Sequence, residues 1–149
     1  MKRIVINEVD PDAFKGMSAF ESYIKNSGFS SKLKNIMKIR SSQLNGCAYC
    51  VDMHTQEALA DGENQRRIFA ISAWKESLLF TEEERALLQL TEEVTFIWKD
   101  GVSDDTYNKV VKFFGEKAFA QIIMIIVAIN SWNRIAISTK MIFEPVGHQ

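Results

Sequence analysis

Apolar positions recur at helical spacing along most of the chain, and no hairpin signal interrupts them. Leu33, Ile36, Met37 and Leu44 keep that spacing in one segment. Ile68, Ile71, Trp74 and Leu78 keep it in a second, and Leu87, Leu90, Val94 and Ile97 form a core stripe in a third. Glycines at 28, 46, 62, 101 and 115 cut the chain into pieces of helical length. Both prolines, Pro11 and Pro145, lie near the ends and break nothing between them.

These marks predict an ordered set of elements. Residues 1–9 read as a short extended arm. Asp10-Pro11-Asp12 opens a helix to about Asn26, with proline early and acids in the first turn. Ser30-Ser31 caps a second helix over about 31–44. A third runs from Cys47 to about Ala60 and stops at Asp61-Gly62. A fourth segment runs from Glu63 to about Leu79. Thr81-Glu82-Glu83-Glu84 is a capping box for the next helix. Ser103-Asp104-Asp105 caps another, carrying Tyr107, Val110, Val111 and Phe114, and Gly115 ends it. The last helix runs from about Glu116 to Met141. The reading is an all-α bundle of six or seven helices in one domain, residues 1–149.

Composition changes this picture little. Hydrophobic residues make up 46% and charged residues 25%, which suits a globular protein. A net charge of -1 leaves no basic excess to hold nucleic acid or an anionic membrane. The apolar run Ile122–Ile129 is far short of a membrane span. It is apolar around the whole helix, more than an outer helix of a small domain buries alone, so we expect a homo-oligomer. Two cysteines in 149 residues do not make a secreted disulfide scaffold, and we expect the cytoplasm.

Chemistry concentrates in Asn45-Gly46-Cys47-Ala48-Tyr49-Cys50-Val51-Asp52-Met53-His54, which holds both cysteines and one of the two histidines. Thiols three residues apart on a helix share a face, and His54 returns to that face. Asn45-Gly46 breaks the preceding helix, so Cys47 enters near a helix N-terminus, where free N–H groups favour a thiolate. The stretch reads as a redox dithiol with an acid–base group attached. Two other readings compete: small core cysteines, and half of a zinc site completed by a carboxylate or a second chain, His148 being remote.

This segment, with Arg40 and Gln43-Leu44 before it, resembles the alkylhydroperoxidase D family within the carboxymuconolactone decarboxylase-like superfamily. The likeness continues through Leu78–Val94 and Ile129-Asn130-Ser131-Trp132-Asn133-Arg134. It implies a helical fold assembled as trimers or hexamers, with neither cofactor nor metal. It implies a peroxidase in which Cys50 attacks a hydroperoxide and becomes a sulfenic acid. Cys47 then condenses with it to a disulfide, and a lipoamide-type or protein-borne dithiol restores the pair. A regular helix is a poor site for such a disulfide, so the first turn should be distorted. His54 would belong to a proton relay. The family's relay glutamate, twelve residues before the first cysteine, corresponds to Asn35, which cannot pass a proton. A slow peroxidase follows.

A redox sensor or oligomeric binding module using the same dithiol is the alternative, and a decarboxylase would leave the dithiol unexplained. Lesser candidates are Asp52 as a tuner of His54, Tyr49 as a gate, and Trp132, Asn133 and Arg134 as pocket or contact residues. Met37, Met53 and Met124 fit core positions.

Overall fold

Local capping signals start and stop most of the helices. The computed structural model describes residues 3–143. Among them are α1 (Ile6–Val9), α2 (Pro11–Asn26), α3 (Ser31–Asn45), α4 (Ala48–Ala60), α5 (Gln65–Ala70), α6 (Glu82–Thr95) and α7 (Asp104–Thr139), with a 3-10 turn at Ile71–Ala73. No strand occurs among the described residues. None of these helices is long and apolar enough to cross a membrane.

Side chains of Asp10, Ser30, Thr81 and Ser103 each accept a backbone N–H at their helix start, and Glu84 closes the capping box back onto Thr81. Gly115 breaks α7 with φ 81° and ψ 165°, a conformation that favours glycine. The expected boundary between two helices therefore falls where glycine permits it.

Two stretches differ from the sequence reading. The arm expected to be extended contains α1, because the Val5 carbonyl accepts from Glu8 and Val9 at 3.0 and 3.2 Å and closes a turn. The segment from Glu63 to about Leu79, whose apolar positions keep helical spacing, leaves helical form after Ala70 and the 3-10 turn. There Arg85, from α6, donates to the carbonyls of Trp74 and Ser77 at 3.0 and 3.1 Å and to that of Lys75 at 2.9 Å. A guanidinium from elsewhere takes the role that helical N–H donors would have had. Leu78 consequently faces solvent, fully exposed. Ile97, past the end of α6, and Met124, on α7, are also exposed rather than core. Met37 is fully buried. Pro145 and His148 lie outside the described residues.

Helix α3 sits centrally and packs against α4, α6 and α7. Met37 joins Ile24, Leu87, Leu90, Val110, Ile122, Ile125 and Ile126 in one buried cluster. Ile36 and Ile39 join Ala58, Ile71, Trp74 and Leu88 in another. Each buried Ile, Leu, Val or Met among them contributes about 1.5–3 kcal/mol through burial. A third cluster places Cys47 and Cys50 against Ile129 and Ala136 of α7, with Tyr49 and Trp132 beside them. Both cysteines are thus part of the packed interior.

Candidate active site

The turn between α3 and α4 is built by glycine and by amides. Gly46 takes the left-handed conformation, φ 71° and ψ 30°, that ends α3. The Cys47 N–H then bonds the Ser42 carbonyl at 2.9 Å. Cys47 is extended, φ -86° and ψ 92°, and stands at the N-cap of α4 rather than inside it. That placement frees the pair from the geometry of a regular helix. Cys47 and Cys50 are joined as a disulfide, their Cα atoms 5.3 Å apart. The Cys50 N–H points at the Cys47 sulfur, 3.3 Å away. A negative charge on that sulfur would meet an oriented donor and the positive end of a helix.

A network of buried and half-buried amides and hydroxyls fastens this turn to α7. Asn45 donates to the side-chain oxygens of Asn130 at 3.0 Å and Asn133 at 2.8 Å. Asn133 donates to Ser42 at 3.0 Å, and Asn130 to Ser41 and Thr95, both at 3.1 Å. Each member satisfies another, which rigidifies a buried polar group that would otherwise be costly. Asn133, completely buried, therefore holds the turn that carries Cys47, while the exposed Arg134 bonds the Asn130 carbonyl of its own helix.

Cys50 and His54 line one cavity of about 260 Å³. Phe14, Met53, Trp132, Ala136 and Met141 supply apolar wall, and Tyr49 also lines it. Tyr49 stacks on Phe143 with ring centroids 4.5 Å apart. Trp132 donates its indole N–H to Glu21 at 2.9 Å, and Lys38 lies 3.6 Å from the same carboxylate.

His54 is buried, and its Nδ1 pairs with Glu57 Oε2 at 2.7 Å. Glu57 lies one turn further along α4 and also lines the cavity, its side chain half exposed. The hydrogen bond from His54 holds the Glu57 carboxyl below its usual range, with the charges of His54 and Lys38 adding to the effect and burial opposing it. A carboxylate on Nδ1 favours the tautomer whose Nε2 is free to take a proton. The sequence reading missed Glu57, although His-x-x-Glu on a helix was the signal that would have found it.

Asn35 lines a neighbouring hollow, which shares Glu21, Lys38 and Glu57 with this cavity. It is buried and donates to Asp61 Oδ2 at 2.9 Å, and Ser31 bonds the same carboxylate. The structure brings Cys47, Cys50 and His54 together and adds Glu57, while Asn35 engages Asp61. Asp52 is exposed, accepts from Gln56 at 3.0 Å, and lines a different hollow from the one holding His54. Among the described residues, no three His, Cys, Asp or Glu side chains are grouped to hold a metal ion.

The chain is similar to known proteins over nearly its whole length. The uncharacterized protein YdfG of Bacillus subtilis is 39% identical over 137 residues, 92% of this chain and 93% of YdfG. A crystal structure from Agrobacterium tumefaciens, of a protein of unknown function proposed to be the antioxidant defence protein AhpD, superposes with a TM-score of 0.94. It shares 39% identity and covers 99% of this chain and 100% of its own. The debrominase Bmp8 shares the fold, with a TM-score of 0.82 at 19–20% identity, over 92% of this chain and 73–74% of its own. The profile of the carboxymuconolactone decarboxylase family matches residues 11–93. With its dithiol and its fold, this chain belongs to that family of enzymes, and within it to the alkylhydroperoxidase D-like group.

Proposed function

We propose that the protein is a thiol-dependent peroxidase that reduces organic hydroperoxides at Cys50. The observation that carries this reading is the shared cavity of Cys50, His54 and Glu57. The Nε2 of His54 takes the Cys50 proton, and Glu57 stabilises the resulting imidazolium. The Cys50 thiolate attacks the outer oxygen of the hydroperoxide. The O–O bond breaks, the sulfur gains that oxygen as a sulfenic acid, and the departing alkoxide takes the proton back from His54 to leave as an alcohol. The Cys47 thiolate then attacks the Cys50 sulfur, the S–S bond forms, and hydroxide leaves as water after protonation. Two thiols lose two electrons, and the peroxide gains them.

The apolar walls favour an alkyl or aryl substituent over hydrogen peroxide. Glu57, on the same helix as the histidine, fills the role of the glutamate missing at position 35, so the enzyme need not be slow. The setting is the reducing cytoplasm. Half-exposed Met124 and Val127 on α7 support a homo-oligomer in which copies cover them.

Stopped-flow mixing of the reduced protein with cumene hydroperoxide and with hydrogen peroxide tests the reading. Wild type should lose two thiols per peroxide, faster with the organic substrate. Cys47→Ser should stop at a trappable sulfenic acid, and Cys50→Ser should not react. Retention of both thiols under excess peroxide would overturn the proposal.

A further inference from the structure

One cation of the cavity has no part in the thiol–peroxide steps described above. Lys38, on α3, lines the same cavity as Cys50, His54 and Glu57, and its side chain is only 11% exposed. A lysine ordinarily covers its stem and carries its head out to water. Here the head stops beside Glu21 of α2, 3.6 Å from Oε2. That separation is beyond hydrogen-bond reach, so Glu21 attracts the ammonium without taking any of its three donors.

Arg40, two residues further along α3, shows the other arrangement. It gives N–H bonds of 2.9 and 2.7 Å to Glu92 and serves as a brace. Glu21, by contrast, is itself fixed from elsewhere: its Oε1 accepts the Trp132 indole at 2.9 Å, and both residues line the cavity. The Lys38 ammonium is therefore anchored by charge at the cavity wall with donors still to give. Its charge is felt on its neighbours. It adds to the His54 bond in holding Glu57 down and, after burial, it pushes Lys34 below the usual lysine range.

We infer that Lys38 is a catalytic residue: its ammonium donates a hydrogen bond to the hydroperoxide oxygen that leaves, and meets the negative charge that grows there. The inference rests on the peroxidase reading above. When the Cys50 thiolate attacks the outer oxygen, the O–O electron pair moves to the inner oxygen, which carries the organic substituent. That atom lies beyond the outer oxygen, in line with the sulfur. It needs a donor placed away from the sulfur, and Lys38 reaches the cavity from α3 while Cys50 reaches it from α4. His54 supplies the proton that the alkoxide finally takes. Lys38 supplies the field that steadies the alkoxide while the bond breaks, and ends the step with the protons it began with. The sulfur loses two electrons and the peroxide oxygens gain them. Against apolar walls such as Phe14, Met53 and Trp132, a fixed charged donor counts for more than it would in water.

The test uses a Cys47→Ser background, in which Cys50 is the one thiol and the first oxidation is read alone by stopped flow and dimedone trapping. There Lys38→Met should lower the rate with cumene hydroperoxide about 10²-fold, the usual effect of removing one such donor. Peroxyacetic acid expels a carboxylate that is stable without help, so its rate should fall far less. Alkylation by iodoacetamide, in which no oxygen takes up charge, should be nearly unchanged. Lys38→Arg should recover part of the loss, because it restores a charged donor. Where Lys38→Met does not fold, Lys38→Gln is read in its place, with the same order of losses expected. Equal losses with the two peroxides would overturn the inference. So would a matching loss with iodoacetamide, which would make Lys38 an activator of the thiolate instead. A parent that reduces peroxide and keeps its full rate without Lys38 would overturn this inference alone. A parent inert to both peroxides, yet alkylated normally, would overturn the peroxidase reading and this one with it.

Discussion

Glu57 and Glu92 are both partly buried carboxylates held below the usual glutamate range, yet they sit in opposite circumstances. Glu92 is saturated. Its Oε1 accepts from Arg40 at 2.9 and 2.7 Å and from Trp74 at 2.7 Å, and its Oε2 lies 2.9 Å from Lys75. Among the described residues Glu57 has one hydrogen-bond partner, His54, and it opens onto a cavity beside a sulfur. Perturbation alone does not mark a functional group. A carboxylate surrounded by fixed donors braces helices; one with a single titratable partner and room beside it is equipped to handle protons.

Removing Glu92 should have the largest effect on stability. Glu92→Ala leaves Arg40 nearly buried without its counter-charge and should cost about 3 kcal/mol in urea unfolding. Glu57→Ala, at a half-exposed pair, should cost under about 1 kcal/mol. Equal costs would erase the distinction.

The ranking should invert for chemistry. Glu57→Gln should lower the rate of Cys50 with cumene hydroperoxide by about 10²-fold and alter its pH profile, since a positioned acid–base system is worth about that much. Glu92→Gln, measured on folded protein, should keep the wild-type pH profile. A Glu57→Gln enzyme with unchanged rate would show that His54 works without a carboxylate.

Acid sharpens the comparison further. Burial pushes the Glu92 carboxyl up, but hydrogen bonds from Trp74, Lys75 and Arg40 outweigh it and the net shift is downward. A depressed folded-state value means full stabilisation above the unfolded range, near about pH 4.3, and progressive loss below it. The stability gap between wild type and Glu92→Gln should therefore be constant near neutrality and shrink as pH falls through that range. A gap that persists unchanged at pH 3 would contradict it.

The smallest effect is expected at Asn35. Because its amide is engaged with Asp61, Asn35→Glu adds a second carboxylate there rather than a partner for His54. The peroxide rate should change far less than in Glu57→Gln. A large gain would place the relay at position 35 after all.

The sequence made local features legible and missed those that depend on distant donors. Ser30, Thr81 with Glu84, Ser103 and Gly115 act within a few residues, and each starts or breaks a helix where expected. The segment after Ala70 keeps helical spacing, yet Arg85 claims its carbonyls from another helix. No window over residues 63–79 contains that arginine. Cys47, Cys50 and His54 were readable because their close spacing at and just inside one helix start brings them together. The purpose of Asn133 was not, since its partners Ser42 and Asn45 lie about ninety residues away in the chain. Resemblance pointed to position 35 for the acid, whereas the fold offers Glu57 on the helix that already carries the histidine.

The Cys50 amide, directed at the Cys47 sulfur, carries one more consequence. A thiolate accepts a hydrogen bond more strongly than a disulfide sulfur does. Reduction should therefore tighten the first turn of α4, and oxidation should loosen it. The redox state of the protein then becomes readable in a single proton: hydrogen exchange at that amide should be slower in the reduced form than in the oxidised one. The amide would act as a local reporter of whether the disulfide is open or closed.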